Sequence, residues 1–144
     1  MSAENKVLCR RWFEEVWNKG REAAIDELLA ADGLAYGLGE RGQALRGPEP
    51  FKGFYRVFRG AFPDLHLTID DMLAEGDKVL VRFSGTGTHQ GDHLGVPATR
   101  RPVTFTGMTL VRCQDGKLVE GWNNFDLYGL LTQVGAVPLV KVPV

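Results

Sequence analysis

At Leu65 the periodicity of this chain changes, and that change dictates the fold class. Upstream, apolar residues recur every three or four positions. Downstream they alternate, the spacing of side chains along one face of a strand. Leu65, Leu67, Ile69 and Leu73 alternate with His66, Thr68 and Asp70, as in a half-buried strand. Glu75-Gly76-Asp77-Lys78 reads as a hairpin turn. In the next strand Val79, Val81, Phe83, Gly85 and Gly87 share one face, and Leu80, Arg82, Ser84, Thr86 and Thr88 the other. A long loop over 89–102 separates this pair from a third strand over 103–113, with Phe105, Gly107, Thr109 and Val111 on one side. The turn at Gln114-Asp115-Gly116 then sends residues 117–126 back along it.

The helical part comes first. Residues 4–19 set Leu8, Trp12, Phe13 and Val16 on one stripe, opposite Glu4, Lys6, Arg10, Arg11 and Glu14. Asn18-Lys19-Gly20 ends that helix, with Gly20 suited to a left-handed cap. A second helix is expected over 21–31, burying Ile25, Leu28 and Leu29 and stopped by Asp32-Gly33. One short strand is expected at 34–38. Pro48 suits the first turn of a third helix. Its Phe51, Phe54, Tyr55, Phe58 and Phe62 form an aromatic face expected to pack on the sheet, and Phe62-Pro63 closes it. Residues 127–134 read as a short final helix capped by Gly135. With 144 residues, one domain over 1–144 is expected. Three N-terminal helices followed by a curved antiparallel sheet and a short C-terminal helix make an α+β fold. Such a sheet, closed at one end by helices, leaves a blind apolar pocket, the default ligand site.

Composition narrows the partners. Seventeen basic residues against eighteen acidic give no charge excess for nucleic acid or a membrane surface. No run approaches the ~20 apolar residues of a membrane span, and the N-terminus has no apolar signal core. A cytoplasmic location is therefore expected. Cys9 and Cys113 sit in apolar patterns without metal spacing and read as buried free thiols of a reducing compartment. His89, Asp92 and His93 fall within five loop residues, a spacing unlike the familiar metal sites, so no metal is expected.

Chemistry concentrates in the last strand, K-L-V-E-G-W-N-N-F-D. Glu120, Trp122, Asn123, Asn124 and Asp126 crowd into seven residues, although strand interiors are poor in Asn and Asp. Asp126 has two readings: a general base raised by apolar surroundings, or the N-cap of the final helix. His89, where strand gives way to loop, is either a proton shuttle at the pocket mouth or a residue bonded to loop backbone. Tyr36 either lines the pocket mouth or simply packs. Trp12 is a candidate pocket wall. Strict alternation makes Trp122 and Asn123 face opposite ways, and a bulge would reverse part of that.

Taken together and in order, several short motifs resemble the SnoaL-like polyketide cyclase family, within the NTF2-like superfamily of cone-shaped α+β folds. They are Asn18-Lys19-Gly20, Phe62-Pro63-Asp64-Leu65, Glu75-Gly76-Asp77-Lys78-Val79, Gly87-Thr88-His89-Gln90-Gly91, Leu94-Gly95-Val96-Pro97, and Trp122 with Phe125-Asp126-Leu127. The resemblance implies cofactor-free acid/base chemistry on a hydrophobic carbonyl-bearing or polycyclic small molecule: cyclisation, isomerisation, dehydration or hydrolysis. It also implies a homodimer formed through the sheet. In the aldol-type cyclases an Asp is the general acid/base and a His helps polarise a carbonyl. Those positions fall here on Asn123 and Thr109, and a further polar partner falls on Gly107. A positioned base contributes about 10²–10⁴-fold, and an Asn amide does not titrate. The catalytic expectation therefore passes to Asp126 and His89. Tyr36, Trp12, Phe83, Phe105, Thr109, Trp122 and Asn123 are the expected ligand contacts. The alternative is a non-catalytic small-molecule-binding module of the same fold.

Overall fold

The structure is a computed structural model describing residues 2–141 and 143. The first apolar stripe folds as α1 (Ser2–Arg11) and runs directly into a π-helical segment, Trp12–Asn18. Its wider turn is marked by the Lys19 amide, which donates to the Glu14 carbonyl at 2.8 Å. This segment buries Phe13, Val16 and Trp17. Asn18 fixes its end to the sheet: the side chain donates to the Leu67 carbonyl at 2.8 Å and accepts the Leu67 amide at 2.7 Å. Gly20 then takes the left-handed conformation its position demands, φ +67°.

The second helix, α2 (Ala23–Leu28), is shorter than its sequence reads. Leu29 already belongs to β1 (Leu29–Tyr36), which pairs in parallel with β6 (Lys117–Phe125), Leu29 opposite Leu118. The sheet edge captures the chain at Leu29 and, after a register shift, again at residues 34–36, and tertiary pairing overrides local helix preference. β1 also pairs antiparallel with the short β2 (Leu45–Arg46). Next come α3 (Pro48–Ala61), opening on Pro48, then β3 (His66–Glu75), β4 (Lys78–Thr88) and β5 (Pro102–Gln114). After β6 the chain ends its regular structure with α4 (Leu127–Gln133). The sheet order is β2-β1-β6-β5-β4-β3. It is mixed rather than wholly antiparallel, because β1 runs parallel to β6.

Two bulges shift which side chains face the helices. In β3, Asp70 is the extra residue between the Ile69–Phe83 and Asp71–Arg82 pairs. Beyond it the alternation inverts, so Met72 packs on the core and Leu73, expected inside, is 62% exposed. In β6, Val119 is extra between the Cys113–Leu118 and Arg112–Glu120 pairs.

The core lies between the helical layer and the inner sheet face. Ile25, Leu28, Phe62, Val79 and Val81 are fully buried there. Cys9 on α1 and Cys113 on β5 are both buried free thiols. Their mutual hydrogen bond, with burial, pushes the Cys9 thiol far above its ordinary range. No helix among the described residues is long and apolar enough to cross a membrane.

Candidate functional site

A cavity of about 110 Å³ opens between the helices and the inner face of the sheet. Its helical wall is aromatic: Trp12, Phe13 and Trp17 from the π-helical segment, and Phe51, Phe54 and Phe58 from α3. Phe83, Phe105 and Phe125 supply the sheet side. The rings brace one another edge to face, with centroids 5.0 Å apart for Trp12–Phe51 and 5.2 Å for Phe13–Phe83. The α3 rings are expected from sequence to be plain core. They do pack on the core, yet three of them also front the cavity. The spacing of residues 51, 54 and 58 puts them on one stripe, but no periodicity distinguishes a stripe that meets side chains from one that meets space.

The polar spot in this apolar wall is a pair. Thr109 on β5 and Asn123 on β6 lie directly opposite each other in the antiparallel register, and both line the cavity. The Thr109 hydroxyl donates to Asn123 Oδ1 at 2.8 Å. Asn123 Nδ2 donates to the Tyr36 carbonyl at 3.0 Å and the Gly121 carbonyl at 3.3 Å. Two carbonyls can only accept, so they fix which end of the amide is nitrogen. Gly37 makes the arrangement possible. At φ +86° it lies so close that an added Cβ would sit 2.0 Å from the Asn123 carbonyl oxygen. Gly107, the third position where the resemblance leads one to look for a polar group, leaves room that is filled by rings. A Cβ there would meet the Phe83 ring at 2.6 Å and Phe125 Cβ at 2.7 Å.

The two expected acid/base residues stand elsewhere. Asp126 is exposed, does not border the cavity, and accepts the Gly129 amide at 2.9 Å as the N-cap of α4. Of its two readings, the cap describes its position. His89 is not at a pocket mouth. It is fully buried, outside the cavity lining, with its ring 5.8 Å from that of Phe62. Its backbone bonds to Arg100 and Arg101 fold the start of the 89–102 loop over it. Nδ1 accepts the Thr99 amide at 3.1 Å and lies 3.0 Å from the Thr99 hydroxyl. The ring proton then belongs on Nε2, which has no partner among the described residues.

Of the expected ligand contacts, Trp12, Phe83, Phe105, Thr109 and Asn123 line the cavity, whereas Tyr36 and Trp122 do not. The latter two stack at 5.7 Å between register partners of β1 and β6, on the face opposite Asn123. Only the Tyr36 backbone reaches the site. Glu120 is the one ionisable residue bordering the cavity among the described residues. It lies across from Arg112, whose Nε donates to its carboxylate at 2.7 Å, and the Tyr36 hydroxyl stands 3.4 Å away. Alternation beyond the Val119 bulge puts Glu120 with Trp122, on the outer face.

Comparison with known proteins follows this architecture. The family profile described as SnoaL-like polyketide cyclase matches residues 7–134. Aklanonic acid methyl ester cyclase DnrD of Streptomyces peucetius is 30% identical over 126 residues, covering 87% of each chain. A crystallised candidate SnoaL-like polyketide cyclase from Jannaschia sp. CCS1 superposes with a TM-score of 0.84 at 28% identity, covering 95% of both chains. TsrD from Streptomyces laurentii gives 0.80 at 28% identity, covering 94% of this chain and 97% of its own. A profile match spanning most of the chain, on a helix-capped mixed sheet enclosing an aromatic cavity, places this protein in the SnoaL-like polyketide cyclase family.

Proposed function

We propose that this protein binds an apolar, ring-containing small molecule in the aromatic cavity and does not turn it over by side-chain acid/base chemistry there. One observation carries the reading: the polar spot on the inner sheet face of the cavity is the neutral Thr109–Asn123 pair, whose protons are already committed to protein acceptors. Neither side chain takes up or releases a proton near neutral pH. The aromatic walls supply the affinity, since burying apolar ligand surface is favourable by roughly 25 cal/mol per Å². Trp12 and Trp17 line the cavity and serve as reporters. A polycyclic aromatic such as naphthalene is expected to quench their fluorescence saturably, and chromatography of the incubated mixture is expected to return it unchanged. No saturable quenching would refute the reading.

The similarity to cyclases favours a second reading, in which the chain is catalytic. Incubation with aklanonic acid methyl ester separates the two: product formed by the parent protein supports catalysis, and no product supports binding alone. A homodimer through the outer sheet face belongs to the same proposal. That face carries Met108, 49% exposed, and the Tyr36–Trp122 stack. Light scattering is expected to give the mass of two chains, and a single-chain mass would refute it.

A further inference from the structure

The hydrogen-bond directions at the cavity wall define what kind of ligand group fits there. Asn123 spends both amide protons on the Tyr36 and Gly121 carbonyls, and Thr109 spends its hydroxyl proton on Asn123 Oδ1. Those three protons are all the pair has. What remains for a ligand is lone pairs: two on Thr109 Oγ1 and one on Asn123 Oδ1. The geometry points to a ligand that donates at this spot, an aromatic alcohol or phenol, in preference to a carbonyl compound or an enolate. The inference rests on the proposed binding function and adds the ligand's polar chemistry to it.

The contrast between the two ligand types is physical. A ligand hydroxyl pointed at the pair gives its proton to Oγ1 or Oδ1 and disturbs nothing. A ligand carbonyl must either face lone pairs or take the Thr109 proton. Taking it leaves Asn123 Oδ1 without a donor in an apolar wall, and a buried acceptor left unpaired is destabilising. An anionic oxygen is worse placed still, since the pair offers it only lone pairs. Next to the pair no side chain makes up the loss: Gly107 contributes none, and Phe83 and Phe125 occupy the space beside it.

Four neutral probes on one two-ring skeleton test this by titration calorimetry with the intact chain: naphthalene, 1-naphthol, 1-methoxynaphthalene and 1-tetralone. 1-Naphthol is expected to bind about tenfold more tightly than the methoxy compound and the ketone, one hydrogen bond's worth. In Thr109→Val the Asn123 amide stays pinned by two carbonyls while Oδ1 loses its donor, so the naphthol preference is expected to widen. In Asn123→Leu the Thr109 hydroxyl is released to donate, so tetralone is expected to draw level. Tetralone binding the parent protein as tightly as naphthol, or a preference indifferent to Thr109→Val, would overturn the donor inference. Naphthalene binding alongside that result would leave the binding function standing, and failure of all four probes would remove both.

Discussion

At the scale of single residues, Asn123 does more holding than any other group at the site. It ties β5, β6 and the end of β1 together through three hydrogen bonds. Asn123→Ala leaves two carbonyls and a hydroxyl without their partner, and is expected to cost about 2–3 kcal/mol in urea denaturation. Asp126 is a different case. Asp126→Ala removes the cap of α4 and is expected to cost about 1 kcal/mol while leaving naphthalene affinity as it was. Loss of affinity in that variant would return Asp126 to the site. Part of this was legible beforehand. Alternation alone set Asn123 and Trp122 on opposite faces, and the place of Asp126 just before a helix marked a cap. The contacts of Tyr36 were not legible, because its strand runs parallel to β6 and the register that stacks it on Trp122 joins residues 86 positions apart.

At the scale of elements, the helix ends and the loop base carry the polar structure that the motifs hinted at. His89 anchors the 89–102 loop through Thr99. His89→Ala is expected to destabilise the protein by about 2–4 kcal/mol, from the void and the unpaired Thr99 amide together, and calorimetry is expected to show unchanged ligand affinity. Asp64, at the turn after α3, sits at the start of the strand layer. Burial raises its carboxyl, but the Thr88 amide and hydroxyl outweigh this and hold it below the ordinary carboxylate range. A lowered folded-state value means the contribution is complete above the unfolded-state value and is lost as pH falls through the folded one. The stability gap between the parent and Asp64→Asn, read by urea denaturation, is therefore expected to be widest at neutral pH and to close on acidification. The strands and α3 were readable because their periods are long and regular. The second helix was overextended because Leu29 is claimed by a pairing with Leu118 that no local pattern announces. Leu73 was misplaced because one inserted residue, Asp70, inverts every later side chain.

At the scale of the molecule, the family architecture is kept. The helices still close the sheet over a cavity, and the profile match runs across both layers. The positions that the resemblance links to proton transfer hold a hydroxyl and an amide bonded to each other. The aromatic rings of α3 and the π-helical segment turn the same enclosure into a lined cup. Fold and cavity were inferable from the order of helices and strands, since a sheet covered at one end has few ways to bury its inner face. Which groups face the cup depended on the bulges in β3 and β6 and on one parallel pairing with its own register shift, all of them long-range features.

The central claim is that no proton-exchanging side chain faces the bound ligand, and the affinity for naphthalene as a function of pH tests it directly. Naphthalene does not ionise, so any pH dependence belongs to the protein. Titration calorimetry from about pH 6 to about pH 9, the range in which a perturbed carboxyl or His changes charge, is expected to give a constant dissociation constant. A sigmoidal or bell-shaped dependence, in protein that stays folded throughout, would reveal an ionising group at the ligand and contradict the account.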